Sequence, residues 1–139
     1  MPVKSKIVDK NNGVIDTWSS LIIGKDILSR LKLLFSDKAF GEVKFWVIDF
    51  SAVTDFSIST EEILEVVRLD KDAHKVNSEI IIIVITEKDL RLEKSKMWEM
   101  LSFETCWEKM ISNNKEQAYQ FIKNRMKLKF NTTINNLLT

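Results

Sequence analysis

Cysteine, histidine, proline and glycine are scarce in this 139-residue chain: one Cys, one His, one Pro and three Gly. The single cysteine, Cys106, excludes an internal disulfide and fits a reducing compartment, so a cytoplasmic location is expected. One histidine, with no Cys-x-x-Cys or His-x-x-x-His beside it, leaves a zinc site short of ligands. No Asp/Glu cluster has the glycine-containing loop spacing of a calcium site. The few glycines leave no room for a flexible linker or a glycine-rich phosphate loop, and no cofactor is expected. Charge of one sign is also lacking. The net charge of +1 supplies no global field for nucleic acid or an anionic membrane. The longest apolar run, Ile80 to Ile85, is far too short to span a bilayer. The start, MPVKSKIVDKNNG, has no apolar signal-peptide core. Hydrophobic content of 45% and charged content of 29% place the chain with soluble globular proteins, which have a core to bury. The length reads as one domain over residues 1–126, followed by a tail over 127–139.

The chain is organised around Lys44 to Glu62, KFWVIDFSAVTDFSISTEE. Phe45, Trp46, Val47, Ile48 and Phe50 form a nearly continuous aromatic and β-branched run, as expected of a strand covered on both faces. Asp49 marks its expected end, and a polar loop from Thr54 to Thr60 should follow. Ser59 and Glu62 match a capping box, which predicts a helix from Thr60 to about Val76. Its first amides attract anions.

Lys4 to Asp9 reads as a strand, Asn12-Gly13 as a hairpin turn with positive φ, and Val14 to Ser19 or beyond as the return strand. Asp26 to Phe35 carries Ile27, Leu28, Leu31, Leu34 and Phe35 at helical spacing. Ile80 to Thr86 reads as a buried strand, Glu87 to Leu101 as a helix and Glu104 to Ile111 as a final strand. A last helix should run from Asn113 or Asn114 to about Met126. The order β-β-α-β-α-β-α-β-α implies a single α/β domain. Its sheet should be mainly parallel but mixed, with an opening hairpin and crossover helices.

The segments VIDFSAVTDFSISTEEILEVV, IIIIVIT and CWEKMISNNKEQAYQFI resemble the STAS/SpoIIAA-like superfamily, and in particular small bacterial SpoIIAA-like, STAS/SEC14-type proteins. The strand-end pattern falls on Asp49-Phe50-Ser51-Ala52-Val53 and the final helix pattern on Ala118-Tyr119-Gln120-Phe121-Ile122. The resemblance covers roughly Val14 to Arg125. It implies a small non-catalytic domain that recognises another protein in regulation, with Asp55, Ser57, Ser59 and Thr60 as the partner-binding or phospho-acceptor loop. A gapless alignment departs from the superfamily's phosphorylated loop: Ile58 stands at the serine and Thr60 at the glycine. The SEC14-type relatives imply an alternative, a small apolar ligand.

Residue chemistry offers competing readings. Ser57, Ser59 and Thr60 could accept a phosphate or contact an anion, or Ser59 could simply cap the helix. Asp70 and His74 lie i, i+4 on the inward helix face, where a carboxylate could orient an imidazole, or could instead reach solvent or a loop backbone. Trp18 and Trp46 read as core, whereas Trp98 and Trp107 could line a pocket with Asp70 and His74 or simply fill the core. Asp49 and Asp55 read as strand-end and turn carboxylates. Cys106 reads as buried and inert. Basic residues at 88–96 are interleaved with acidic ones, and those at 123–129 are too few for more than a weak nucleic-acid reading. The expected partner is therefore another protein, with no membrane insertion. A homodimer fits so small a domain, although no heptad specifies one.

Overall fold

Apolar residues alternate between the two faces of a sheet, and that alternation sorts this core into two halves. In the computed structural model, which describes residues 2–10, 12–86 and 107–134, five strands lie side by side in chain order. They are β1 (Val3–Val8), β2 (Gly13–Ile23), β3 (Phe45–Ser57), β4 (Ile81–Ile85) and β5 (Glu108–Ser112). β1 runs antiparallel to β2, and every later neighbour pair is parallel. Among the described residues, three helices cover this mixed sheet: α1 (Gly24–Ser36), α2 (Thr60–Val76) and α3 (Lys115–Phe130). The expected α/β architecture is thus present. The helix predicted over 87–101 lies outside the described residues, as do Trp98 and Cys106.

Val14, Trp18, Trp46, Ile82 and Val84 point to one face and pack with Ile27, Leu31, Leu34, Ile63 and Val66 of α1 and α2. Phe45, Val47, Ile81, Ile83 and Ile85 point to the other and pack with Ala118, Ile122 and Met126 of α3. α1 and α2, which link the parallel neighbours β2–β3 and β3–β4, share one face, as crossovers of one hand require. α3 follows the last strand, is not a crossover, and covers the opposite face. With both faces covered, β4 needs no polar alternation, and all five of its residues are buried. β1 lies at the sheet edge, where exposed Lys4 and Lys6 discourage pairing with another chain.

The first hairpin corrects one expectation. The left-handed residues are Asp9 and Lys10, not Asn12 and Gly13. The turn is closed by the Asn12 amide donating to the Asp9 carbonyl at 3.0 Å and by the Asn12 side-chain amide donating to the Asp9 carboxylate at 3.1 Å. Gly13 is the first residue of β2, and what requires glycine there is space: a Cβ would lie 2.0 Å from Cζ of the Phe45 ring. Since Phe45 is fully buried, the ring has nowhere to go. Gly13→Ala is expected to cost about 1–3 kcal/mol by overpacking, read as a lowered urea midpoint with an unchanged slope.

The final elements also differ in extent from the reading above. β5 runs over Glu108–Ser112, and residues 104–106 of the expected strand lie outside the described residues. α3 continues past Met126 to Phe130, where Asn131 ends it in the left-handed conformation. Ile134 beyond it is buried in the α3-side core. The Lys-rich composition of this turn masks its packing: Lys127 is exposed, while Lys129 is half-buried and paired with Glu79 at 3.2 Å.

Candidate functional site

The longest strands of the sheet, β2 and β3, run together beyond the rest of it. β4 pairs with β3 only from Phe45 to Asp49, whereas β2 follows β3 to its end, with Ile23 opposite Ser57. The result is a protruding two-stranded parallel ribbon, Ser19–Ile23 against Ala52–Ser57. Register shifts between Thr17 and Ser19 and between Ser20 and Leu21 bend it, and Ser20 has φ 63°. The expected strand end at Asp49 and loop from Thr54 are corrected accordingly. Asp55 and Ser57 belong to β3, and only Ile58 and Ser59 connect it to α2. Polar residues here mark an exposed strand rather than a turn.

Asp55, Ser57, Ser59 and Thr60 are all exposed. The Asp55 carboxylate accepts from the Phe56 amide at 2.8 Å. The capping box is complete: the Glu62 amide donates to Ser59 Oγ at 3.1 Å, and the Ser59 amide donates to Glu62 Oε1 at 2.9 Å. Glu62 also lies against Gly24, where a Cβ would come within 2.3 Å of its carboxyl carbon. The first turns of α1 and α2 are thereby brought close. Ile58 is buried in the core and anchors the connection. The hydroxyls on either side of it remain in solvent. Two exposed apolar side chains accompany them, Leu21 (49% exposed) opposite Asp55 and Ile23 (40% exposed) opposite Ser57.

The other predicted site residues are dispersed. Asp70 is buried and borders a cavity of about 60 Å³ between α1, α2 and the sheet, together with Arg30, Lys109, Trp18 and Trp46. His74 and Trp107 pack ring against ring at 5.9 Å, and neither lines that cavity. Trp107 is buried and its indole N–H donates to the Asn77 carbonyl at 2.8 Å. Trp98 is outside the described residues. Trp18 and Trp46 fill the core as expected.

Sequence reasoning missed the most polar centre of the interior. Asp16 on β2 is fully buried, and its carboxylate meets four donors. Arg30 supplies Nε and Nη2 at 2.9 Å each, Trp46 its indole N–H at 3.1 Å and Ser5 its hydroxyl at 2.7 Å. A visible signal existed: Arg30 interrupts the Ile27–Leu31–Leu34 stripe, and Asp16 shares the strand face of Val14 and Trp18. An inward strand carboxylate and an inward helix guanidinium must meet.

On the opposite face, Asp49 is buried and accepts from the Ser51 amide at 2.9 Å and hydroxyl at 2.6 Å, with Lys115 Nζ at 3.6 Å. Burial, and then the Asp49 charge, push the Tyr119 phenol above its usual range. Tyr119 is the only tyrosine, so tyrosinate absorbance reports it alone. It should ionise above pH 10, and Asp49→Asn should move it part of the way back. Because the folded state holds this proton more tightly than the unfolded chain, stability should fall as pH rises from the ordinary tyrosine pKa through the folded one.

Among the described residues, no group of three or more His, Cys, Asp or Glu side chains could hold a metal ion, and no helix is long and apolar enough to cross a membrane.

Among the described residues, a mixed five-stranded sheet with α1 and α2 on one face and α3 on the other defines the class as a small α/β domain. Solved structures place it more narrowly. It is similar to the anti-sigma factor antagonist SpoIIAA in its unphosphorylated form, with 12% identity and a TM-score of 0.54 over 86% of this chain and 96% of that one. It is also similar to an uncharacterised protein of the DUF3478 family with a SpoIIAA-like fold from Shewanella loihica PV-4, with 11% identity and a TM-score of 0.53 over 86% of this chain and 90% of that one. No family model and no curated protein matches the sequence. The chain has the STAS/SpoIIAA-like fold.

Proposed function

We propose that this is a non-catalytic regulatory domain that recognises another protein through the end of the β2–β3 ribbon and the start of α2. The observation that carries this reading is the pairing, in register, of exposed Leu21 and Ile23 with Asp55 and Ser57 on a ribbon that projects beyond β4. Apolar side chains ringed by hydroxyls and one carboxylate suit a modest, reversible protein interface. The similarity in fold to an anti-sigma factor antagonist supports a regulatory partner. Ser57, Ser59 and Thr60 carry exposed hydroxyls at the start of α2, where a phosphate is electrostatically favourable.

The test uses the full chain as bait in cells of its source, with chemical cross-linking and mass analysis. A partner that is cross-linked to the wild type and to Leu128→Asp, but lost with Leu21→Asp and Ile23→Asp, supports the reading. Leu128 is 76% exposed on α3, away from the ribbon, so it controls for a general effect of surface charge. A partner retained by both ribbon variants, or lost with Leu128→Asp, overturns it. Intact-mass measurement of the same material reports any phosphate on Ser57, Ser59 or Thr60.

A further inference from the structure

We propose that the groove between β1 and α1 is a binding site for a small uncharged molecule combining an apolar body with a hydroxyl or carbonyl group. Size separates the two cavities. The one bordered by Asp70 holds about 60 Å³, room for a few waters. The groove holds about 170 Å³, and an apolar cavity of about 150 Å³ is enough to take up benzene. Its walls are Ile7 and Val14 from the first hairpin, Leu34 from α1, and Phe40 and Val43 from the 3-10 turn (Lys38–Glu42) and the residue after it.

The polar groups stand together on Arg30 and Ser5. Arg30 spends two of its five N–H donors on Asp16, and others can serve a ligand oxygen in the groove that its side chain lines. Ser5 spends its proton on Asp16, so its oxygen can accept from a ligand hydroxyl. Charge then selects the ligand class. Asp16 already neutralises Arg30, and Asp37 places a second carboxylate on the groove wall. An anion would therefore meet a net negative surround, whereas a cation, although that surround would draw it in, has no acceptor to offer the remaining N–H donors of Arg30. An uncharged acceptor–donor group satisfies both faces without either penalty.

Phenol is the probe, with benzoate as the anionic comparison of similar size. Both are titrated into the isotopically labelled full chain and followed by NMR. Phenol is expected to shift Ser5, Ile7, Val14, Leu34 and Val43 saturably, with a Kd of about 1 mM, and benzoate to bind about 10-fold more weakly or not at all. Ser5→Ala should weaken phenol binding about 2- to 10-fold. Ala39→Leu, on the groove wall, should abolish it. Ile7→Trp, at a rim position 60% exposed, should block the mouth even if Ala39→Leu does not fold. The proposal is overturned by absent or non-saturable phenol shifts, by equal benzoate binding, or by shifts centred on Val66 and Ile82 of the smaller cavity. Concentration-dependent shifts of the groove without ligand overturn it too, since they would make the groove a contact between copies of the chain.

Discussion

Arg30→Ala is expected to destabilise the protein by about 3–5 kcal/mol, because it strands a fully buried carboxylate. Asp16 has no exposure, and Arg30 provides two of its four donors, in the paired geometry that suits a carboxylate. Domains of this size are held by about 5–15 kcal/mol in total, so the variant should unfold at a fraction of the wild-type urea concentration. Two further variants identify the cause. Arg30→Lys keeps the charge but loses the fork, and should recover only part of the stability. The double variant Asp16→Leu/Arg30→Leu removes both charges and should be less damaging than Arg30→Ala, since no ion is left unpaired. A double variant at least as unstable as Arg30→Ala would show that packing, not charge, holds α1 to the sheet at this point.

Asn77→Ala is expected to cost about 2–4 kcal/mol. Asn77 ends α2, and its buried side-chain amide donates to the carbonyls of Phe40 at 2.9 Å and Val43 at 2.7 Å. Its own carbonyl accepts from Trp107. One residue therefore ties together the end of α2, the 3-10 turn that leads into β3, and the start of the β5 segment. Alanine keeps the backbone bond to Trp107 and removes both donors. Asn77→Asp is the sharper comparison. It preserves shape but turns acceptor oxygens toward two carbonyls, and should be at least as destabilising as alanine by thermal unfolding. An Asp variant close to wild type would mean that the two carbonyls find other donors.

Much of this architecture is legible in the residues, and the physical reasons differ by element. The capping box at Ser59 and Glu62 is a local interaction, and α2 begins and ends where the sequence predicts. β4 is legible because five consecutive buried aliphatic residues have few other uses in a chain of this length. The end of β3 was not legible. Thr54, Asp55 and Ser57 carry the composition of a turn, and what extends them is pairing with β2, more than thirty residues earlier. The same distance hides the role of Gly13, whose Cα is approached by a ring from another strand.

The candidate site divides along the same line. The exposure of Ser59 and Thr60 follows from a helix start that the sequence declares. That Leu21 and Ile23 stand beside Asp55 and Ser57 depends on the register of two strands. The Asp16–Arg30 pair likewise depends on which face of α1 meets which face of β2. By itself, the sequence determined the order of the described elements, the apolar faces, the α2 cap and the α/β class, because these rest on spacing within a few residues. Only the tertiary structure decided the length of the ribbon, the partner of the buried carboxylate and the groove beside it. Each of these is made by side chains far apart in the chain, and local pattern carries no information about which of them meet.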